Sequence, residues 1–469
     1  MPGDLFKKER KENMEDKSAE IKKTELTDAQ IKSNTMAVVW PAVAEALFVG
    51  LVGMIDTMMV GNLGPAAIAA VGLTTQPKFI GLAIFMSFNS AVASVVARRY
   101  GEREKEDANN ILVNGMVLVC IMTAVISALY VRFSYGIVKF MQGDEITTAL
   151  ASDYLKIIMG GLIFSTGTFF INACQRGIGN TKITFKTNFV SNVINVVLNY
   201  LLIEGRLGFP RLEIKGAAIA TVIGSAAGFV MALCSVLKKG AFLYLFSHVK
   251  IGFSKKTMSS LGRVGTSALA EQACMRFGFL VFTLTVSSLG TNSFAANQIG
   301  MNISMISFSF GDGMSSAVLA LVGRSMGEKN VDLAKKYIKC CLKIGRTATI
   351  FTSIIFFFFG RQLFMMFTDE PEVLSYAIFI SAILGLTTIL QIPAMVFAGA
   401  LRGAGDAMFI AVTSLICIGL IRSFFSWFLT YPMGLGLYGA WIGFFTDQAM
   451  RFVLNYGRFR KGKWEKINL

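Results

Sequence analysis

The sequence predicts an all-α, polytopic membrane protein with twelve transmembrane helices in two pseudo-symmetric six-helix lobes. Three observations predict it: long runs without ionisable side chains, a one-sided distribution of lysine and arginine, and an internal repeat that lays Val60 on Val286.

The chain has 469 residues, is 54% hydrophobic and only 16% charged, and has a mean hydropathy of +0.58, whereas an average soluble domain carries roughly 25% charged residues. Residues 111–131, 187–203, 216–237 and 277–311 contain no Asp, Glu, Lys or Arg, and each run approaches or exceeds the roughly 20 residues that cross a bilayer. In order, the apolar runs and their breaks place helices at 36–61, 70–97, 110–131, 154–175, 187–203 and 216–237. A second set follows at 262–288, 293–323, 342–360, 373–400, 407–431 and 434–457. The expected organisation is a disordered tail over 1–35, an N-terminal lobe over 36–237, a loop over 238–261, a C-terminal lobe over 262–457 and a tail over 458–469. The stretch 1–35 is too charged to be a secretory signal.

The net charge of +16 would suggest a nucleic-acid partner in a soluble protein. Here it is topological. With the N-terminus inside, 35 of the 45 Lys and Arg residues fall in the tails and loops of one side, seven on the other and three (Lys78, Arg276, Arg422) within the spans. Retention of basic loops on the cytoplasmic side then puts both termini in the cytoplasm of a cell with the chain in its cytoplasmic (inner) membrane, and requires an even number of spans. The lipid bilayer is a partner and nucleic acid is not.

The repeat lays Val60-Gly-Asn-Leu-Gly64 on Val286-Ser-Ser-Leu-Gly290, Arg98 on Arg324, Gly101-Glu102 on Gly327-Glu328, and Arg176-Gly177 on Arg402-Gly403. Glu45 meets Glu271 in the same register. An offset holding six spans keeps both halves in one orientation, so they relate by an axis along the membrane normal and face each other across a midplane cavity. Such halves suit rocking between two states better than a constant pore, and nothing in them requires an oligomer.

Other signals exclude alternatives. No G-x-x-x-x-G-K-[ST] occurs, which removes ATP hydrolysis by this chain as an energy source. Gly434-Leu-Gly436-Leu-Tyr-Gly439 sits between two spans without a preceding strand and reads as a turn. The seven cysteines follow no disulfide or zinc spacing, and the one histidine, His248, lies in a basic loop. No cofactor is implied, and an intramembrane lipid-modifying enzyme would need a catalytic cluster that this pattern lacks.

Eight ionisable side chains remain in the spans: Glu45, Asp56, Glu271, Asp312, Asp447, Lys78, Arg276 and Arg422. A charge at the bilayer centre costs at least about 2.5 kcal/mol, so each needs a partner, a watery cavity or a function. Asp56 lies about 8 Å below the outer surface at 1.5 Å per residue. Asn188, Asn192, Asn195 and Asn199 recur at helical spacing on one face of the fifth span, and Asn199 reaches the depth of Asp56. Thr221 arrives there from the sixth span. One carboxylate among neutral oxygens suits H⁺ or Na⁺, so Asp56, Asn195, Asn199 and Thr221 are the candidate coupling-ion site. Glu45, Glu271, Gln272 and Asn192 are candidates for the substrate cavity, and Arg422 with Asp447, at matched depths on neighbouring spans, for a structural ion pair. Asp312 and Lys78 find no place in this scheme.

Over nearly all of 36–457 the chain resembles the multidrug and toxic compound extrusion (MATE) family. The resemblance is carried by Pro41, Asp56-Thr-Met-Met-Val-Gly61, Gly101-Glu102, Arg176-Gly-Ile-Gly-Asn-Thr181 and Gly216-Ala-Ala-Ile-Ala-Thr221. It implies secondary active antiport by alternating access: export of organic, cationic amphipathic compounds in exchange for inward H⁺ or Na⁺, with Asp56 as a coupling residue. The chain departs from the family at Asn199, where many prokaryotic members carry an aspartate. It departs again in the tenth span, which offers Thr387, Thr388 and Gln391 in place of an acid. A flippase for a lipid-linked headgroup, which would want a basic cavity, is the nearest rival.

Overall fold

Each apolar run must satisfy its own backbone inside lipid, and a helix does so residue by residue. The computed structural model describes residues 27–467 apart from 62, 64, 142–144 and 248–254, which leaves His248 outside the described residues. Its long helices are α1 (Asp28–Gly61), α2 (Pro65–Gly101), α3 (Lys105–Phe140), α4 (Glu145–Gly160 and Leu162–Gly177), α5 (Thr181–Leu202) and α6 (Glu213–Leu237). The second lobe has α7 (Lys255–Ser287), α8 (Thr291–Gly327), α9 (Val331–Met365), α10 (Ala377–Ala404), α11 (Ala407–Thr430) and α12 (Gly436–Arg460). Nine of these are long and apolar enough to span a membrane on their own, and the bent α4 makes ten. The other two, α5 and α12, are the helices that carry the asparagine stripe and the pair Asp447 and Arg451. Polarity that would be costly against lipid is tolerated there because it faces protein.

Most helices run several residues beyond the expected bounds, α9 starting at Val331 and not at 342, and three differences bear on how the chain is held. The first helix begins at Asp28, ahead of the expected start at 36, because Thr27 and Gln30 cap it reciprocally: Thr27 N–H donates to Gln30 Oε1 at 2.9 Å and Gln30 N–H to Thr27 Oγ1 at 3.3 Å. The fourth span is broken at Gly161 with a 47° bend. The C-terminal tail is not wholly free: the Trp464 indole is buried with Ile31, Ala334 and Ala404, Lys335 pairs with Glu465 at 2.9 Å, and Arg98 Nη1 donates to Ile467 O at 3.2 Å.

The repeat extends to the backbone. Arg103 and Lys329, which are repeat mates, both adopt positive φ (60° and 55°) between consecutive helices, a conformation costly for side chains with a Cβ. The lobes meet along α1 with α8 and α2 with α7, and α2 crosses α8 at the end of the bundle that holds Asp28 and Arg460, here called the terminal side. A Cβ on Gly101 would lie 2.0 Å from Arg324 O, and one on Gly327 would lie 2.2 Å from Arg98 O. Further in, a Cβ on Gly313 would lie 2.6 Å from Val43 Cα, and Ser94 Oγ donates to Arg402 O at 2.8 Å. These contacts close the terminal side with backbone against backbone.

Candidate functional site

Asp56 projects from α1 toward α5, where the 4–3–4 spacing of the asparagines puts Asn195 and Asn199 one turn apart. Asn199 Nδ2 donates to Asp56 Oδ1 at 2.8 Å. One end of the Asn195 amide lies 2.8 Å from Asp56 Oδ1 and 3.1 Å from Oδ2, and the other lies 3.2 Å from Thr221 Oγ1. The structure therefore brings Asp56, Asn195, Asn199 and Thr221 into one cluster, with both amides buried.

Counting hydrogens gives this cluster two self-consistent arrangements. Against an ionised carboxylate, the Asn195 nitrogen turns to Asp56 and its oxygen to Thr221. Against a protonated carboxyl, the amide is reversed: the acid proton is shared with the Asn195 oxygen. Asn195 Nδ2 then donates to Thr221 Oγ1 at 3.2 Å, and the Thr221 hydroxyl donates to Ala217 O at 2.9 Å. Amide orientation is assigned from its partners, so it follows the charge on Asp56. Asn199 Oδ1 is buried and accepts no hydrogen bond among the described residues. That leaves a neutral oxygen beside the carboxylate, available to a cation.

Glu45 and Glu271 are both buried within their lobes and paired with arginines. Arg176 Nη1 donates to Glu45 Oε1 at 3.2 Å, with Thr184 Oγ1 and Asn188 Nδ2 donating at 2.6 Å each. In the second lobe Arg402 Nη2 donates to Glu271 Oε1, with Ser414 Oγ at 3.4 Å. Glu45 and Glu271, Arg176 and Arg402, and Asn188 and Ser414 are each repeat mates, so this is one motif built twice. Neutralised carboxylates hold the helices of a lobe together and are poor hooks for a free cation. Asn192 and Gln272 are half-buried and make no side-chain hydrogen bond among the described residues.

Arg422 Nε donates to Asp447 Oδ2 at 3.1 Å in a wholly buried pair. Sequence reasoning missed Arg451, one turn beyond, whose Nη2 lies 3.3 Å from Asp447 Oδ1; the i, i+4 spacing was the available signal. The Arg422 guanidinium also sits 4.9 Å from the Phe279 ring centroid and 4.7 Å from that of Phe444.

Its position explains the second lobe. Residues 415–422 of α11 are wound as a π-helix, which accommodates one extra residue in a turn. Past that point the register of the repeat moves on by one, and Asn195 falls on Arg422. Gly216 packs on Leu202 O and Gly439 on Leu429 O, which aligns Gly216-Ala-Ala-Ile219 with Gly439-Ala-Trp-Ile442 and puts Thr221 on Phe444. Asp56, in the original register, falls on Phe282. The second lobe thus fills the equivalent place with Phe282, Phe444 and a guanidinium, the two rings 6.2 Å apart.

Lys78 lies in the first lobe close enough to act electrostatically on Asp56, without an ion-pair contact. Arg276 reaches from α7 across to α2, with its guanidinium 4.3 Å from the Phe79 ring centroid.

Comparison with known proteins agrees with the duplication. The MatE family model matches residues 41–201 and again 267–428. The second stretch starts at the repeat mate of residue 41. A probable multidrug resistance protein NorM from Thermotoga maritima is 26% identical, over 93% of this chain and 94% of its own. The uncharacterized transporter YisQ from Bacillus subtilis is 25% identical, over 96% and 98%. Among solved structures, an outward-facing multidrug resistance MATE family transporter of the MOP superfamily superposes with a TM-score of 0.86 at 22% identity, covering 93% of this chain and 97% of that one. A MOP superfamily transporter from Pyrococcus furiosus, reported with a binding pocket of reverse polarity, matches with a TM-score of 0.86 at 22% identity, covering 93% and 97%. These relatives are transporters, not enzymes. With both halves matched, together well over half of its length, the chain belongs to the MatE family of multidrug efflux transporters.

Proposed function

We propose that this transporter is an antiporter that exports organic, cationic amphipathic compounds and takes up protons in exchange, with Asp56 carrying the proton. The observation that supports this most is the cluster of one carboxylate with Asn195, Asn199 and Thr221, whose hydrogen bonds close with or without a proton on Asp56. Each protonation state turns the Asn195 amide and changes the tie between α1, α5 and α6, so the charge on one acid acts on the helix that lines the lobe interface. With Asn199 in place of a second acid, the site holds a single negative charge. That weakens a Na⁺ site more than it hinders protonation. If Na⁺ is the ion, Asp56, Asn195, Asn199 and Thr221 supply its oxygens. The second lobe has no matching site, because Arg422 is there already. The terminal side is the cytoplasmic side of the inner membrane in this reading, and a single copy suffices.

The flippase alternative, which would want a basic cavity, is less well supported: Arg422 is paired with Asp447 and Arg276 lies against Phe79, which leaves Lys78 in the first lobe. The test is uptake of a fluorescent cation into proteoliposomes under an imposed proton or sodium gradient. Uptake driven by the proton gradient and abolished by Asp56→Asn supports the proposal; uptake indifferent to both gradients sinks it.

A further inference from the structure

We infer that Asp312, on α8, is the carboxylate that holds the positive charge of the substrate between the lobes. This rests on the reading that substrates cross between the lobes.

Asp312 stands about 31 Å along α8 from its start and about 22 Å from its end at 1.5 Å per residue, so it is deep in the bundle. Yet its side chain is exposed, and it makes no hydrogen bond or ion pair among the described residues. A lone, exposed carboxylate at that depth is costly against lipid and calls for a polar cavity. Helical periodicity puts Asp312 beside the face of α8 that meets the first lobe, so the cavity it calls for is the one between the lobes. Asn302, Met305, Ile306 and Ser309 share one arc of α8 with Gly313, Gly323 and Gly327, and Asp312 stands at its edge. The three glycines pack on Val43, Ala97 and Arg98 of the first lobe, and Ser309 Oγ approaches Gly50 of α1. Toward the far side the same arc is uncovered: Asn302, Met305 and Ile306 are all exposed.

The charged groups that act electrostatically on Asp312 are Arg176, Arg402 and Glu271. Arg176 is neutralised by Glu45 and Arg402 by Glu271, so this end of the cleft keeps one uncompensated negative charge. Arg276 is engaged with Phe79 on the other seam, between α2 and α7. Across the cleft, the repeat mate of Asp312 is Met86, exposed together with Ile80. One carboxylate on one wall, with a thioether and aliphatic groups on both, fits a monovalent cation with a bulky apolar body. Methionine adapts to bodies of differing shape.

The isosteric ions tetraphenylphosphonium and tetraphenylborate test this, with each bound separately to the purified full-length protein in nanodiscs. The unaltered chain should bind tetraphenylphosphonium, and Asp312→Asn should weaken that binding about tenfold, or about 1.4 kcal/mol, without weakening tetraphenylborate. Asp312→Lys should reverse the preference, a gain that misfolding cannot imitate. No binding of the cation by the unaltered chain, unchanged affinity in Asp312→Asn, or equal losses for both ions would overturn the inference. Asp56→Asn should retain tetraphenylphosphonium binding, so a failure at Asp312 leaves the coupling proposal standing, and the reverse.

Discussion

Asn199 holds Asp56 Oδ1 at 2.8 Å, joining α5 to α1 at the level where Asn195 touches the same carboxylate. Replacement of Asp56 by Asn removes the titrating group but keeps its shape. Gradient-driven export should be lost while equilibrium binding of substrate stays within a few-fold of the original. Asn199→Asp restores a second acid and should raise the sodium dependence of uptake in proteoliposomes. Unchanged export by Asp56→Asn under either gradient would refute the assignment.

The ion cluster in the second lobe has three members, Arg422, Asp447 and Arg451, and its mutants should not be equivalent. Asp447→Asn strands both Arg422 and Arg451, whereas Arg422→Gln leaves Asp447 with Arg451. Stranding a buried charge costs about 3–5 kcal/mol. Thermal unfolding in detergent should therefore rank Asp447→Asn as the more damaging, with the double variant recovering part of the loss. Equal, additive losses in the double-mutant cycle would show that the three side chains do not act as a unit.

The crossing of α2 and α8 tolerates no side chain, since a Cβ on Gly101 would lie 2.0 Å from the Arg324 carbonyl oxygen. Gly101→Val should prop the terminal side apart and reduce export at least tenfold. Spin labels on cysteines replacing the exposed Lys105 and Lys329 should report a longer, broader distance distribution in the variant. An unchanged distribution would mean that the closure yields at no cost.

Orientation follows from the lysine and arginine count. Ser288 is exposed at the end of α7, opposite the terminal side, and a cysteine there should react with an impermeant maleimide in intact cells. Labelling only after permeabilisation would invert the topology.

The parts of this molecule written in local spacing were legible. The charge-free runs, the internal repeat and the 4–3–4 asparagine stripe each follow from helix geometry, and depth arithmetic sufficed to put Asn199 beside Asp56. What escaped was set by contacts between segments distant in sequence. The pairing of Glu45 with Arg176 and of Glu271 with Arg402 escaped because the partners lie far apart along the chain and nothing local couples them. Trp464 sits in a basic tail, and only the fold supplies the apolar recess that takes it. Asp312 had no assignable role because its exposure depends on where the other lobe stands.

The π-helical turn at residues 415–422 also bears on how the two halves differ. In the second half the extra residue of that turn brings Arg422 to the place that Asn195 holds in the first. A guanidinium bound to Asp447 there is a counter-ion that never dissociates; under the proposed mechanism, the half that keeps Asp56 and Asn195 is then the one that responds to the membrane gradient. The same arrangement should be reproducible in the first half: Asn195→Arg, at the position equivalent to Arg422, should supply Asp56 with a tethered cation. Such a protein should be folded and at least as heat-stable as the original, and deaf to both protons and sodium in the proteoliposome assay; export that still follows either gradient would show that the arginine does not take the ion's place.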